Sequence, residues 1–207
     1  MKLGKLYESV LIEGKLEACI AKGGDALKSC ISKYPEVLEP NGTVYKASLM
    51  SLSDLLGQYY DISDDVKSGG VFDFTYKSKT PIQSWTSDRD NAEEVTEVSP
   101  FLLQAIRTYK QVKDNPDALN RFLKEVIGDL DNITVPIVVK LDNNSDDLIF
   151  NSAHLMSLSN GQYENELLRI NDRPTRVTAE IIEPLFNPVF TILKAIKQHE
   201  ARLHQQG

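Results

Sequence analysis

The sequence lacks several features that would assign it to a common functional class. No uninterrupted apolar stretch approaches the roughly 20 residues that a membrane-spanning helix needs, which argues against a membrane protein. Neither GxGxxG nor GxxxxGK(S/T) occurs, so the two usual glycine-rich phosphate-binding loops are absent. His199 and His204 are five residues apart, a spacing that does not predict a zinc motif. Both lie in the C-terminal tail and only His154 is central, which argues against a Ser/Cys–His hydrolase. Cys19 and Cys30 lack CxxC spacing, and we expect both to be reduced core residues.

What the chain has is an ordinary globular composition with an acidic balance. Of its 207 residues, 41% are hydrophobic, and 23 basic against 30 acidic side chains give a formal net charge of −7. A chain of this size buries enough surface to fold as one domain without a metal or disulfide. The negative balance argues against binding to the phosphate backbone of nucleic acid. Glu8, Glu13 and Glu17 argue against a signal peptide, so we expect a cytoplasmic protein.

Hydrophobic spacing predicts an α+β protein with helices between two groups of strands. We predict strands at 43–47, 71–76, 82–86, 135–141, 148–150, 166–170 and 176–182. Helices are predicted before Tyr34 and after Ser99-Pro100, Asn115-Pro116 and Asn187-Pro188, whereas 53–66 is ambiguous. The predicted organisation is a helical segment (1–35), one domain (36–186) and a C-terminal helix (187–207). The apolar face of that last helix is more typical of internal packing than of an oligomer contact, and self-association through it is the alternative.

Three short segments combine residue types that carry chemistry. They are Val44-Tyr45-Lys46 on the first predicted strand, Ser84-Trp85-Thr86-Ser87-Asp88 at a strand end, and Gln162-Tyr163-Glu164-Asn165-Glu166 entering a later strand. In an extended segment, residues two apart share a face, so Glu164 and Glu166 are expected to point the same way. Adjacent carboxylates repel each other unless a positive charge lies before them. Beside hydroxyls and a basic residue, the pair suits a reaction with an oxocarbenium-like transition state.

The order of these segments resembles the ADP-ribosyltransferases of the Arg–Ser–Glu class, a family of bacterial toxins and of bacteriophage enzymes that modify host proteins. That family has an aromatic-Arg dipeptide on its first core strand, an aromatic residue before a Ser/Thr-rich element, and Glu-x-Glu at the start of a late strand. The matching segments here are Tyr45-Lys46, Trp85-Thr86-Ser87 and Glu164-Asn165-Glu166. The resemblance implies that 36–186 folds as a pair of packed, mostly antiparallel sheets with flanking helices and an NAD cleft.

The resemblance also implies a role for each residue in transferring ADP-ribose from NAD to a protein. Glu166 would be the catalytic glutamate, which stabilises positive charge as the bond to nicotinamide breaks. Glu164 would orient or deprotonate an acceptor arginine on the target protein. Ser87, helped by Thr86, would hydrogen-bond Glu166, and the sequence does not decide which of the two hydroxyls is the motif residue. NAD is implied as a substrate, and no metal is implied.

The remaining implied contacts involve NAD and the protein target. Lys46, with its neighbour Tyr45, would contact the NAD phosphates or the adenosine ribose, Trp85 would line the nicotinamide pocket, and Tyr163 would stack on a target residue. Packing is the alternative for Trp85 and Tyr163, and solvent exposure is the alternative for Lys46. Lysine replaces the family's arginine here and offers a point charge instead of a planar fork. Two other functions stay open: an NAD glycohydrolase, and a non-catalytic binding protein with this fold.

Overall fold

The chain forms a mixed α+β structure. The computed structural model describes residues 18–19, 22, 24–35, 42–60, 70–77, 82–142, 148–151, 166–170 and 174–206. The helices are α1 (Gly24–Ile31), α2 (Leu52–Tyr60), α3 (Arg89–Glu94), α4 (Pro100–Val112), α5 (Pro116–Gly128) and α6 (Phe186–Gln206). The strands are β1 (Thr43–Ser51), β2 (Val71–Tyr76), β3 (Ile82–Thr86), β4 (Thr134–Asp142), β5 (Leu148–Asn151), β6 (Glu166–Ile170) and β7 (Thr175–Ile181). The α+β class predicted from the sequence is confirmed.

Proline marks the start of α4 and of α5, as the sequence predicts. Its missing N–H costs nothing in the first helical turn, where N–H groups have no partner within the helix. The Asn115 side-chain oxygen accepts a hydrogen bond from the Ala118 N–H at 3.1 Å and so caps α5. Ser99 precedes α4 without a capping hydrogen bond from its side chain. The same sequence device therefore starts both helices, but the side chain caps only the second.

The ambiguous stretch after β1 begins as helix α2, and its first turn explains why. The Asp54 N–H donates to Ser51 Oγ at 3.0 Å, and the Ser51 hydroxyl donates to Asp54 Oδ2 at 2.9 Å. This reciprocal pair is similar to a capping box, but the aspartate at the third helical position accepts from the Ser51 hydroxyl and not from its backbone N–H. The Ser-x-x-Asp spacing was the signal in the sequence that identifies this helix.

Seven strands form one hydrogen-bonded sheet in the order β2-β7-β4-β1-β3-β6-β5. The β1–β3, β3–β6 and β5–β6 pairs are antiparallel. Thr43 at the start of β1 donates its hydroxyl hydrogen to Asp142 Oδ1 at the end of β4 at 2.8 Å. A pair of separate packed sheets was predicted, and the described strands instead belong to a single sheet, because β1 has a neighbour on each side. Adjacent strands β1, β3 and β6 carry the three predicted motifs.

Two compact units make up the chain. The first contains the described residues of Met1–Lys46, Thr75–Ala92 and Lys140–Val177. Within this unit β3 packs extensively with β6, and β6 with β5. Its buried side chains include Trp85, Leu167, Arg169 and Ile170. All the predicted site residues fall within the ranges of this unit, and the predicted boundaries at 35/36 and 186/187 stay predictions.

The second unit contains the described residues of Ala47–Phe74, Glu93–Val139 and Thr178–Gly207. Its central strand segment, 135–139, is buried throughout, which explains its continuous apolar sequence. Helices α4, α5 and α6 pack on one another, and the apolar face of α6 (Val189, Ile192, Leu193, Ile196) is buried. Internal packing thus accounts for that face. Among the helices that the structure describes, none combines the length and the apolar content needed to cross a bilayer.

A disulfide joins Cys19 and Cys30, so the prediction that both are reduced is wrong. Their Cα atoms lie 5.4 Å apart, a separation that allows the bond without backbone movement. Both side chains are buried in the first unit. CxxC spacing is a feature of metal and redox motifs, and its absence does not argue against a structural bridge across a longer loop.

Candidate active site

The candidate site is built on three adjacent strands, each of which contributes one of the predicted motifs. Tyr45 on β1 is the register partner of Thr86 on β3. Thr86 is in turn the register partner of Glu166, the first residue of β6. Directly opposite residues of an antiparallel pair have Cβ atoms roughly 5 Å apart on the same face. Segments separated by about 40 and 80 residues in the sequence therefore meet in one transverse row of the sheet.

The turn after β3 decides which of the two candidate hydroxyls belongs to this row. Thr86 is the last residue of β3, whereas Ser87 lies in the exposed bend beyond it. Thr86 Oγ1 accepts a hydrogen bond from the Asp88 N–H at 3.1 Å. Asp88 Oδ1 then accepts from the Asp90 N–H at 2.9 Å, which caps α3. Thr86 is thus the hydroxyl in register with Glu166, and its side chain also fixes the start of the following turn.

Lys46 joins β1 to β3 through its side chain. Its Nζ donates a hydrogen bond to the backbone carbonyl of Ser84 at 2.9 Å, and the side chain is half-buried. A lysine bound to a neighbouring strand loses conformational freedom, so its charge is held at the Ser84 carbonyl. Because Lys46 directly follows Tyr45 on β1, it belongs to the opposite face of the sheet from the Tyr45–Thr86 row. Lys46 is the residue predicted to contact the NAD phosphates, and it lies on the strand where the resemblance expects an arginine.

Strand β3 separates two chemically different faces. Gln83 and Trp85 are buried, whereas Ser84 is exposed and Thr86 is half-buried, as the two-residue period of a strand requires. The Trp85 side chain is 2% exposed, and its ring meets the Tyr76 ring edge-on with centroids 5.9 Å apart. The indole is therefore packed in the core, which is the alternative that the sequence left open for it. The hydroxyl-bearing face of β3 is the one with solvent access.

A buried polar cluster lies on the Trp85 face, and the sequence analysis did not find it. Arg169 is 0% exposed; its Nη1 donates to Gln83 Oε1 at 3.3 Å and its Nη2 donates to Thr175 Oγ1 at 2.9 Å. The guanidinium carbon also lies 5.6 Å from the centroid of the Trp85 ring, and Trp85 Nε1 donates to Gln83 Oε1 at 3.1 Å. We call Gln83, Trp85, Arg169 and Thr175 the Arg169 cluster. Its sequence signal was an arginine between two apolar residues, Leu168 and Ile170, in a strand.

The structure describes the predicted site residues to different extents. Tyr45, Lys46, Trp85, Thr86 and Ser87 are described with their side chains. Glu166 is described as a backbone position of β6, in register with Thr86. Glu164 and Tyr163 lie outside the described residues, so the arrangement of the two carboxylates stays a prediction.

No metal centre is evident in the described part of the chain, where no three His, Cys, Asp or Glu side chains are grouped to hold an ion. The groups present along the transverse row are the Thr86 hydroxyl and the strand position of a glutamate, and the Lys46 ammonium is fixed at the Ser84 carbonyl on the neighbouring strand. Such groups act on a substrate through hydrogen bonds and charge. They suit stabilisation of a developing cation and contact with an anionic substrate.

Comparison with known proteins gives no relative: no protein-family model, no curated protein and no solved structure matches the chain. A functional assignment therefore depends on the residues themselves, namely the three motifs and the strand register that brings them into one row.

Proposed function

We propose that the chain is a mono-ADP-ribosyltransferase that transfers ADP-ribose from NAD to an arginine side chain of a protein. The observation that carries the proposal is the register of Tyr45 with Thr86 and of Thr86 with Glu166. The resemblance demands that its three motifs converge on one site, although the sequence separates them widely. The two pairings bring one residue of each motif, Tyr45, Thr86 and Glu166, into one row. The proposal includes an ADP-ribosyltransferase-like fold for 36–186, with its described strands in one sheet in place of the expected pair.

In the proposed reaction, the glycosidic bond between the ribose of NAD and nicotinamide breaks, and nicotinamide leaves with the bonding electrons. Glu166 stabilises the positive charge that develops on the ribose. A guanidinium nitrogen of the acceptor arginine then bonds to the ribose carbon, and Glu164 takes the proton that this nitrogen loses. Such preorganised electrostatic contacts typically contribute ~10²–10³ in rate each. Lys46 supplies a cation for the pyrophosphate of NAD.

The test is the transfer of labelled ADP-ribose to protein by variants of the two glutamates. Glu166→Gln removes the charge with almost no change of shape, and we expect loss of transfer by at least ~10²-fold because the developing cation loses its counter-charge. Glu164→Gln should lose transfer to arginine but keep NAD cleavage to free ADP-ribose, since water needs no guanidinium orientation. Both nicotinamide release and protein labelling are measured on every variant.

Glu97→Gln is the matched control, because Glu97 is an exposed carboxylate in the second unit. It should keep both activities at the level of the unmodified chain. Equal labelling by Glu166→Gln and by the control would refute the proposed role of Glu166. Nicotinamide release without protein labelling in the unmodified chain would instead identify an NAD glycohydrolase.

A non-catalytic binding protein with this fold is the second candidate, and the Lys46 contact favours it. The Lys46 amine is already bonded to the Ser84 carbonyl, and a lysine cannot give phosphate the bidentate contact of an arginine. A protein that binds NAD would be stabilised by RT ln(1 + [NAD]/Kd), which raises its melting temperature. A melting temperature that stays unchanged at millimolar NAD, with no nicotinamide released, would support this candidate over the enzyme.

A further inference from the structure

The strand that carries Glu166 also carries the fully buried Arg169, three residues further on. Its guanidinium bonds Gln83 on β3 and Thr175 at the start of β7 and lies over the Trp85 ring. Gln83 is also the register partner of Arg169, just as Thr86 is the register partner of Glu166. The two pairs belong to the same β3–β6 ladder. An interaction that fixes the register of Arg169 with Gln83 therefore also fixes the register of Glu166 with Thr86.

Stability alone does not explain an arginine at this position. Removing a guanidinium from water is costly, and well-packed apolar side chains often replace buried charges with no loss of stability. The neighbours of Arg169 in β6, Leu167 and Ile170, are such buried apolar residues. The best-attested use of a buried polar group is to select one register among alternatives. An arginine buried in a strand is thus more informative about register than about stability.

A slip of β6 against β3 would change the candidate site directly. Moving a strand by one residue transfers every side chain to the opposite face of the sheet. Such a slip would move the buried Leu167 to the face with solvent access and separate Glu166 from Thr86. It would also carry Arg169 away from Gln83 and from the Trp85 ring and so break the Arg169–Gln83 hydrogen bond. Burial of Leu167 also opposes a slip, and Arg169 adds to it hydrogen bonds with specific partners, Gln83 and Thr175.

We propose that Arg169 is a positioning residue that holds β6 in register with β3 and so keeps Glu166 opposite Thr86. It acts through Gln83 and Thr175 and does not touch the substrate. The catalytic part of this inference rests on the proposed function, whereas the structural part concerns the strand register alone. Separate measurements test the two parts.

Two variants weaken the Arg169 cluster in different ways. Arg169→Lys keeps the charge but removes the planar fork that reaches two acceptors at once. Thr175→Val removes one acceptor with little change of shape and protects the test against an Arg169 variant that does not fold. Arg121→Gln is the control, because Arg121 is exposed on α5 in the second unit.

The structural readout is backbone amide exchange, together with the fluorescence of Trp85, the single tryptophan of the chain. We expect exchange at 82–86 and 166–170 to accelerate at least tenfold in both variants, while exchange at 135–139 changes less than threefold. The emission of Trp85 should shift in Arg169→Lys because the planar cation no longer lies over the ring. The Arg121→Gln control should change neither quantity. Equal acceleration in all strands, or no acceleration in folded variants, would overturn the inference.

The catalytic readout is the separation of kcat from KM in nicotinamide release. A displaced Glu166 should lower kcat at least tenfold in Arg169→Lys, with KM for NAD within threefold of the unmodified chain. A folded Arg169→Lys protein with unchanged kcat would refute the positioning role. If the unmodified chain releases no nicotinamide, the proposed function fails, and amide exchange still decides whether Arg169 holds the register.

Discussion

Variants of Thr86 and Ser87 test which of the two hydroxyls belongs to the candidate site. The resemblance names both hydroxyls, whereas the register selects Thr86. Thr86→Val removes the acceptor of the 3.1 Å hydrogen bond from the Asp88 N–H and keeps a β-branched side chain at the strand end. A hydrogen bond of this kind contributes ~0.5–1.5 kcal/mol, and Asp88 is exposed, so water replaces part of it. We expect the free energy of unfolding to fall by about 0.5–1 kcal/mol.

The same variant should affect activity far more than stability. If Thr86 holds Glu166 in place, Thr86→Val loses about 10–100-fold in kcat, which corresponds to ~1.4–2.7 kcal/mol. A domain with ordinary stability of ~5–15 kcal/mol stays folded after losing less than one. The loss of activity therefore cannot arise from unfolding. Ser87→Ala, in the exposed bend, should change unfolding by less than ~0.5 kcal/mol and activity by less than about threefold.

Urea unfolding gives the stabilities, and nicotinamide release gives kcat and KM for both variants. Thr86→Ser restores the hydroxyl and should recover most of the activity, which separates the effect of the oxygen from that of side-chain shape. The reasoning is refuted if Ser87→Ala loses activity while Thr86→Val keeps it. In that case the bend, and not the end of β3, would supply the motif hydroxyl.

Two further predictions concern stability. Replacing Cys19 and Cys30 by serine removes the bond that closes a loop with a sequence separation of 11. Chain entropy predicts that the free energy of unfolding in urea falls by about 2.5–3 kcal/mol, and an unchanged midpoint would contradict this. Gly70→Ala should cost about 2–5 kcal/mol, because Gly70 has φ of +77° and an added Cβ would overlap the ring of Phe186. Gly57→Ala is its control, because Gly57 lies in helix α2 and an added Cβ there meets no atom within 4 Å. The melting temperature of this variant should be unchanged or slightly raised.

Local signals predicted the elements of this chain well, because each signal acts within a few residues. Asn115 and Pro116 predict the start of α5, and in the structure the Asn115 side chain caps this helix. The apolar run 135–139 predicts a buried strand, which is β4. Helix α2 was left ambiguous because an aspartate, rather than the commoner glutamate, lies three residues after Ser51 in its first turn. The local sequence nevertheless contains the signal for this helix.

The features that the sequence did not predict depend on interactions between distant residues. Nothing near Arg169 in the chain shows that Gln83, 86 residues away, accepts its hydrogen bond. The Cys19–Cys30 bond likewise depends on how two helical segments fold back, which spacing alone does not fix. A single sheet instead of two follows from β1 having strands on both sides. Periodicity assigns residues to strands, but pairing is decided by the whole chain.

The candidate site combines these two kinds of information, and this is why its parts differ in how predictable they were. The residue types are local, so the motifs around Tyr45, Thr86 and Glu166 were found in the sequence. Their convergence is non-local and depends on the β1–β3 and β3–β6 registers. A hydroxyl face with solvent access and a buried charged face meet on the same strand β3. Because one strand serves both faces, a substitution in the buried Arg169 cluster should change the chemistry of residues that it never contacts.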